Sequence, residues 1–577
     1  MSSRRGTPRL LAVARGDEPA DLLITGGRVF LPATREWLDT ALAVADGAIA
    51  GFGPRDALES VDVGGAALTP GFIDSHMHLE STKLWVDEFT RAVLPHGTTA
   101  VAADPHEIAN VFGVRGVAAL AEAASRLPIT FGIAASSCVP ASVFESPGAE
   151  IHPPELRELL GLRGSIGVAE VMDFPGVVRG DPEVLAKIAA AGDRRVDGHA
   201  PGLSGRQLDA YLAAGIESDH ECTALAEAEE KRRKGMWIFI RQGSASQNLA
   251  ALIGTVLEHG TSRVALCTDD REPDTLLGAG HMNDCVRLAV HHGVPVEDAL
   301  VLATANAAEY HRFDHLGWLA PGYQADILAF DDLASFEPEL VWQAGRLVAR
   351  SGQVLAGAVP STPPPSWMYG SVHLSGTPTK EQLALEGRGG LSNVIGVSPR
   401  TLSTKRLRMD VGATGSEVAR IAVVERHRRT GRIGLGYVHG FGLRRGAIAS
   451  TVAHDAHNCM VLGANDERGP ADMAVALARL AELGGGQVAV LDGEVLADVA
   501  LPIGGLMSDK PAEAVADEVE ALAKAASAGL GVELEAPFMQ LSFLGLSVLP
   551  ELRITDRGLV DVGAFELIAL EAGEEDS

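Results

Sequence analysis

The stretch Thr69-Pro-Gly-Phe-Ile-Asp-Ser-His76-Met-His78 decides the fold. Phe72 and Ile73, entered through Pro70-Gly71, predict a strand that begins at a turn. Residues two apart on a strand point the same way, so His76 and His78 project from one face of its far end. Before this stretch, residues 21–53 carry short apolar runs (Leu22, Ile24, Val29, Ala43, Val44, Ile49) punctuated by Gly26-Gly27, Asp46-Gly47 and Gly53-Pro54, the texture of strands and tight turns. After it, brief β-rich runs alternate with helical stretches rich in Ala, Leu and Glu. Candidate strands fall at 72–74, 98–103, 129–135, 166–171, 195–197, 215–218, 237–240 and 263–267. Eight strands interleaved with helices predict an α/β fold, a (β/α)8 TIM-like barrel, whose usual size is about 250 residues.

Strand and turn texture returns at 326–355 and is expected to rejoin the first strands. The domain expectation is therefore a flanking small β-sandwich domain from residues 1–69 plus 318–358, around a barrel at 70–317. Pro363-Pro364-Pro365 marks 359–375 as a stiff Pro-rich linker. Residues 376–577 mix strand and helix patterns and form an additional α+β C-terminal domain. One amphipathic helix there has Ser508 or Asp509 as its expected N-cap and Val515, Val519, Leu522 and Ala526 on one face. The acidic tail at 571–576 reads as a solvated segment.

A chain of 577 residues with 46% apolar content fills two or three cores. Its net charge of -28 repels nucleic-acid backbones and anionic membranes and favours neutral or cationic small molecules. Five cysteines (Cys138, Cys222, Cys267, Cys285, Cys459), scattered and never spaced C-x-x-C, point away from a disulfide framework and from a thiolate zinc site. Arg4, Arg5 and Arg9 precede an apolar stretch at 10–14 that is too short for a signal-peptide core. No segment approaches the roughly 20 apolar residues of a membrane-spanning helix, and the expected location is cytoplasmic. A homodimer or higher homo-oligomer is expected.

Taken alone, His-x-His is a weak signal. Four further ligand-type residues fall where later barrel strands should end: Glu170 in Gly167-Val-Ala-Glu-Val, His199 in Asp197-Gly-His-Ala, His220 in Ser218-Asp-His-Glu, and Asp269 in Cys267-Thr-Asp-Asp. Barrel enzymes build their sites at that rim, so the six side chains converge on one cavity. Four imidazoles and two carboxylates exceed the tetrahedral complement of one zinc ion and suit two divalent ions with Glu170 bridging. The small zinc nucleobase deaminases pair H-x-E with P-C-x-x-C; His78-Leu-Glu80 matches the first half, but no P-C-x-x-C follows.

The run Pro70-Gly-Phe-Ile-Asp-Ser-His-Met-His78, with the later Glu, His, His and Asp, resembles the amidohydrolase superfamily. Many of its members bridge their metals with a carboxylated lysine, and Glu170 stands in that place here. A finer resemblance, covering almost the whole chain, is to bacterial-type adenine deaminases. It is carried by His76-Met-His-Leu-Glu-Ser81, Ala103-Asp-Pro-His-Glu-Ile-Ala-Asn110, Asp197-Gly-His-Ala-Pro-Gly202 and Thr268-Asp-Asp270. Past the linker, Gly440-Phe-Gly-Leu-Arg-Arg-Gly446, Ala453-His-Asp-Ala-His-Asn458, Leu501-Pro-Ile-Gly-Gly-Leu-Met507 and the stretch 541–556 resemble the same family.

The resemblance implies hydrolytic deamination of adenine to hypoxanthine and ammonia, with two divalent ions, Mn(II) or Fe(II) first and Zn(II) also acceptable. Asp269 is then the candidate base that takes the attacking water's proton and passes it to the leaving ammonia; its alternative role is a helix N-cap. Glu80 is the candidate partner of a purine ring nitrogen, or else a residue orienting His76 or His78. Asp104, His106, Glu107 and Asp270 are candidate substrate contacts, with an additional metal near His106 or a local turn as alternatives. Asp270, Arg271 and His281, after the last strand, either cover the purine pocket or tie down a loop, and Arg241 and Ser244, which close the seventh strand, read the same two ways. The cluster His454-Asp-Ala-His457-Asn458 either reaches over the barrel mouth or forms a buried network between domains. Two other functions stay open: an amidohydrolase acting on another cyclic amine or amide, and a catalytically silent barrel scaffold.

Overall fold

The computed structural model describes residues 6–385, 390–399, 401–412 and 417–572. Arg4, Arg5 and most of the acidic tail lie outside these residues. Eight parallel strands form the centre: β1 (Phe72–Met77), β2 (Thr98–Ala103), β3 (Thr130–Ala135), β4 (Ser165–Val171), β5 (Arg195–Gly198), β6 (Ser218–Asp219), β7 (Trp237–Arg241) and β8 (Val264–Cys267). Strands β1 to β5 pair in chain order in one sheet and β6 to β8 in another. Backbone hydrogen bonds join the two at both seams: Asp269 N–H donates to the His76 carbonyl at 3.0 Å, and Glu217 N–H to that of Val196 at 3.0 Å. The sheet thus closes on itself, as parallel strands covered by helices do. Strand β6 is shorter and later than 215–218 because Gly215, at φ +101°, is in a backbone conformation outside the strand region.

Alternation along the strands fills the closed end. Ile73, Ala100, Trp237, Phe239, Ala265 and Cys267 share one buried cluster with Tyr310 and Phe313, leaving the carboxyl-terminal rim for polar side chains.

The strand Ala67–Pro70, immediately before β1, pairs with Ile327–Phe330, in a sheet that also takes in Arg28–Leu31, Glu36–Asp39 and the strands from Leu340 to Val354. A second sheet holds Ala20–Thr25, Leu42–Ala45, Ala48–Phe52 and Ala57–Asp62. Leu22, Ile24, Val44, Leu68, Ile327 and Trp342 from the two sheets share one apolar cluster, so both flanks of the barrel contribute to it. Residues 361–365 run along the barrel in no regular element: the Trp85 indole donates to the Thr362 carbonyl at 2.6 Å.

The C-terminal region is built on an eight-stranded sheet. The helix Gly469–Leu483 covers one face, with Met473, Ala476, Leu477 and Leu480 against Val461 and Val488. The amphipathic helix spans Ala512–Lys524 and buries Val515, Val519 and Leu522, with Ala526 buried just beyond. Its N-cap is Pro511, correcting the expectation of Ser508 or Asp509. Ser508 is engaged elsewhere: its N–H donates to the Lys83 carbonyl at 2.8 Å, which ties this segment to the barrel. Among the described residues, no helix is long and apolar enough to cross a membrane.

A buried cation fixes two strand ends that carry histidines. Lys231, fully buried, donates to the Ala200 carbonyl (2.7 Å), to Asp219 (3.0 Å) and to Glu227 (2.7 Å), while Asp219 accepts the Ala200 N–H at 2.8 Å. Ala200 follows His199 and Asp219 precedes His220, so the network spaces those two imidazoles. Removing one partner of a buried ion pair leaves the other uncompensated, so Lys231→Met should cost about 3–5 kcal/mol in urea unfolding; a loss under about 1 kcal/mol would refute the role given to Lys231.

Candidate metal centre

His76 lies in β1 and His78 just past its end. The His78 Nδ1 is 3.0 Å from the Asp104 carbonyl, which puts the proton on Nδ1 and turns the Nε2 lone pair inward. There it meets His76 Nε2 at 3.1 Å, a pairing of ring nitrogens that needs a shared proton or a cation between them. Asp269, two residues past β8, has a positive φ of 58°, a conformation that aspartate tolerates better than most residues. Its Oδ1 lies 3.2 Å from His78 Nε2 and 3.8 Å from His76 Nε2. It caps no helix: the next one starts at Pro273, with Glu272 as its cap.

Glu170, in β4, is the hub. Its Oε2 is 2.7 Å from His199 Nδ1 and 3.1 Å from His220 Nε2, while its Oε1 is 3.7 Å from His78 Nε2 and 3.4 Å from His106 Nδ1. The structure therefore brings together all six of His76, His78, Glu170, His199, His220 and Asp269. They offer three-residue sets whose ligand atoms lie within 4.8 Å of one another, His76-Glu170-His220 and His76-His78-Asp269 among them. His199 Nε2, His106 Nδ1 and both oxygens of Asp104 are buried without hydrogen-bond partners. Nitrogen and oxygen donors at this spacing, some of them left unpaired, fit divalent ions.

Charge sets the protonation of these groups. Burial pushes the Glu170 carboxyl up, but His199 and His220 outweigh it and hold it well below the usual range. Asp269 is likewise raised by burial and brought well below its usual value by Arg241 and His78. For His220, burial acts downward and Glu170 upward, with a net rise to about 9.

Arg241 and Glu221 complete the ring. Arg241 Nη1 donates to Asp269 Oδ2 at 2.7 Å, and its guanidinium also grips both oxygens of Glu221. The guanidinium thereby leaves Asp269 Oδ1 as the oxygen facing the histidines. Sequence reading missed Glu221 and left Arg241 between covering the pocket and tying down a loop.

Behind the six stands a second layer. His106 Nδ1 is 3.4 Å from Asp104 Oδ2, and its Nε2 is 3.6 Å from Asp455 Oδ1. His454 Nδ1 is 3.2 Å from Glu107 Oε1. His454 and Asp455 thus reach over the barrel mouth, while Asn458 belongs to a buried network between the regions, donating to the Ser146 carbonyl at 3.2 Å. Glu80 takes the Ile108 N–H on Oε1 at 2.9 Å, and burial together with Glu107 pushes its carboxyl up to about 8. Glu80, Asp104 and Glu107 do not border the central void, whereas His106 and Asp270 do. Asp270 accepts from the Ser81 hydroxyl. His281 and Arg271 are buried to one side: Thr98 Oγ1 lies 2.9 Å from His281 Nδ1, and Arg271 donates to Asp284 at 2.9 Å. Ser244 Oγ donates to Thr275 at 2.8 Å and accepts the Glu272 N–H at 2.8 Å, so it ties a loop.

The roof is apolar. Leu402, Phe543, Leu546 and Leu549 from the C-terminal region line the void with Met172 of the barrel. Phe543 stacks on His454 with ring centroids 4.2 Å apart. The roof is fastened at Ser547, which donates to Glu145 and lies 2.6 Å from the Ser142 hydroxyl.

A closed α/β barrel with histidines and carboxylates gathered at its carboxyl-terminal rim is the layout of a metal-dependent hydrolase, and residues 67–348 match the amidohydrolase family. Residues 400–566 match the adenine deaminase C-terminal domain. The chain is 43% identical to "Adenine deaminase 2" of Carboxydothermus hydrogenoformans over 568 residues, 97% of this chain and 98% of that one. It is also 43% identical to an adenine deaminase of Desulfatibacillum aliphaticivorans, over 97% of this chain and 99% of that one. "Adenine deaminase 1" of Rhizobium meliloti is again 43% identical, with 97% and 99% covered. The chain belongs to the adenine deaminase family.

Glu145 gives the roof fastening a pH signature. Burial, helped by the charge of Asp455, raises its carboxyl to about 8 against the Ser547 hydrogen bond. The folded state therefore holds a proton that the unfolded chain releases near pH 4.5, so this group's contribution to stability falls as pH rises from about 4.5 to about 8. Glu145→Gln should raise the melting temperature relative to wild type more at pH 8.5 than at pH 5. An equal difference at both pH values would show that Glu145 does not titrate in this way.

Proposed function

We propose that the chain hydrolyses adenine and water to hypoxanthine and ammonia. The observation that carries this is likeness along the whole chain, C-terminal region included, to proteins named adenine deaminase. In this reading residues 1–69 plus 318–358 form a flanking β-sandwich, 70–317 the catalytic barrel, 359–375 a linker and 376–577 the domain that roofs the site. The two sheets with a common apolar cluster support the first of these.

His76, His78, Glu170, His199, His220 and Asp269 would hold two divalent ions, Glu170 being the carboxylate within reach of histidines from both sides of the cluster. Manganese and ferrous iron suit the mixed imidazole and carboxylate set, and zinc is also accepted. Divalent ions held there would supply the nucleophile, lowering a bound water's pKa from about 15.7 toward about 7. Asp269 accepts the proton of the attacking water on Oδ1 and returns it to the departing amine. Arg241 is a positioning residue: by occupying Oδ2 it aims Oδ1 at the reacting atoms. The apolar roof of Phe543, Leu546 and Leu549 packs on the flat faces of the base, with Asp270 on its polar edge and the His106 ring bordering the same void. Glu80, set behind the void, holds the start of the helix His106–Ala124 and so positions His106.

The assay is ammonia release from adenine, adenosine, guanine and cytosine by protein loaded with manganese or, anaerobically, with ferrous iron. Turnover of adenine alone is expected. Two bound ions with no release from any of the four would keep the hydrolase centre and move the substrate to another cyclic amine or amide. Glu170→Gln keeps the volume and removes the charge that holds two cations, so bound metal should fall by at least half. Turnover should fall by more than about 100-fold, beyond the 10–100-fold typical of groups one step removed from the metal. Full metal content in that variant would end the bridging assignment.

A further inference from the structure

We infer that the junction between the barrel and the C-terminal domain holds a divalent cation of its own, liganded by His106 Nε2, His454 Nδ1 and Asp455 Oδ1, with Glu107 beside it. The inference takes the centre around Glu170 as the two-ion site proposed above and does not depend on the substrate. Its ligands come from the helix that follows β2 and from the segment 454–455, so the ion would staple the roof to the barrel.

The spacing carries the argument. Asp455 Oδ1 lies 3.6 Å from His106 Nε2 and 3.6 Å from His454 Nδ1, and such separations are too long for hydrogen bonds. Ligand atoms about 2.0–2.2 Å from one ion stand about 3.3–3.6 Å apart in a tetrahedral set. His454 Nδ1 is 3.2 Å from Glu107 Oε1, close to the same range. All three ligand residues are at least nine-tenths buried, and their ligand atoms lie within 4.8 Å of one another.

The two carboxylates of the cluster also carry unpartnered atoms. Asp455 Oδ2 and Glu107 Oε2 are buried without hydrogen-bond partners, an expense that proteins avoid unless something else binds there. Tautomers also sort the neighbours. His457 accepts the Ala453 N–H on Nδ1 at 3.1 Å, which leaves its proton on Nε2 and removes it from the ligand set. His106 turns Nδ1 toward Asp104 and Glu170, both at 3.4 Å. Neither contact is a hydrogen bond, and the opposite ring nitrogen, Nε2, is the one that faces Asp455.

The test is zinc content and zinc position. Apo-protein dialysed against zinc chloride and then freed of loose metal should bind three equivalents per chain, and Asp455→Asn should bind two. Anomalous scattering at the zinc edge from wild-type crystals should place the third ion between His106 and Asp455, which needs no variant to fold. Chelation should lower the wild-type melting temperature by more than that of Asp455→Asn. Glu170→Gln should lose ions at the first centre and keep this one. Wild type with two equivalents and no anomalous peak at Asp455 would overturn the inference while leaving the first centre intact. Three ions in a protein that spares adenine would uphold it and overturn the substrate assignment.

Discussion

The constraint on which this site depends is the burial of negative charge. Glu80, Asp104, Glu107, Glu170, Glu221, Asp269, Asp270 and Asp455 are all buried around one barrel mouth. Among the described residues that contact them, Arg241 is the guanidinium within ion-pair distance, and it is spent on Glu221 and Asp269. Isolated carboxylates do not survive such burial in the charged form, and Glu80, pushed up to about 8, meets its own share by keeping a proton. Protons on the imidazoles or bound cations must meet the deficit. The two are alternatives, because an imidazole that ligates an ion has given up a proton there. Carboxylate neighbours push His220, His106 and His454 up against the effect of burial. Metal binding must displace those protons, so affinity falls as pH drops.

That charge could be gathered because its ligands come from strand ends held by separate devices. Strand β6 has only two residues, too few to fix His220 by ladder bonds alone. Lys231, Asp219 and the backbone of Ala200 take over that task with buried, charge-assisted hydrogen bonds. At the other seam the Asp269 N–H bonds the His76 carbonyl, so one contact closes the barrel and sets two of the six side chains. Fold closure and site geometry are there the same interaction.

Much of this was legible in the residues. His76 and His78 obey the two-residue strand period, and Glu170, His199, His220 and Asp269 follow apolar runs that the structure forms as strands within a few residues of expectation. What could not be read lies where periodicity stops. Glu221 is adjacent to His220, and the alternation rule would send it to the opposite side; past the end of β6 the backbone is no longer a strand, and both side chains face Glu170 or Arg241. The helix at Ala512–Lys524 started later than its polar neighbours suggested because Ser508 was already committed to the barrel backbone. Leu402, Phe543, Leu546 and Leu549 carried no signal at all. An apolar residue that roofs a site has the same pattern as one that fills a core.

The roof also bears on how a base reaches the centre. The void inside the cluster measures about 20 Å3, space for about one water and several times too small for a purine. Any purine must therefore displace protein atoms, and the two walls differ in what displacement costs. The barrel side is held by charged hydrogen bonds with fixed directions. Phe543, Leu546 and Leu549 instead rest on Cys138, Ala141 and Met172 in one apolar cluster, whose contacts are non-directional, and the directional ties of this segment to the barrel are the neutral hydroxyl contacts of Ser547 with Glu145 and Ser142. Behind Cys138 and Val171 lies a cavity of about 530 Å3. Its partition from the void includes the pair in which the Met172 N–H donates to Cys138 Sγ at 3.1 Å. The wall supplied by the C-terminal region is thus apolar toward the void and tied by hydroxyl contacts behind it, so admitting a base costs apolar repacking and those contacts rather than the charged hydrogen bonds that fix the catalytic groups.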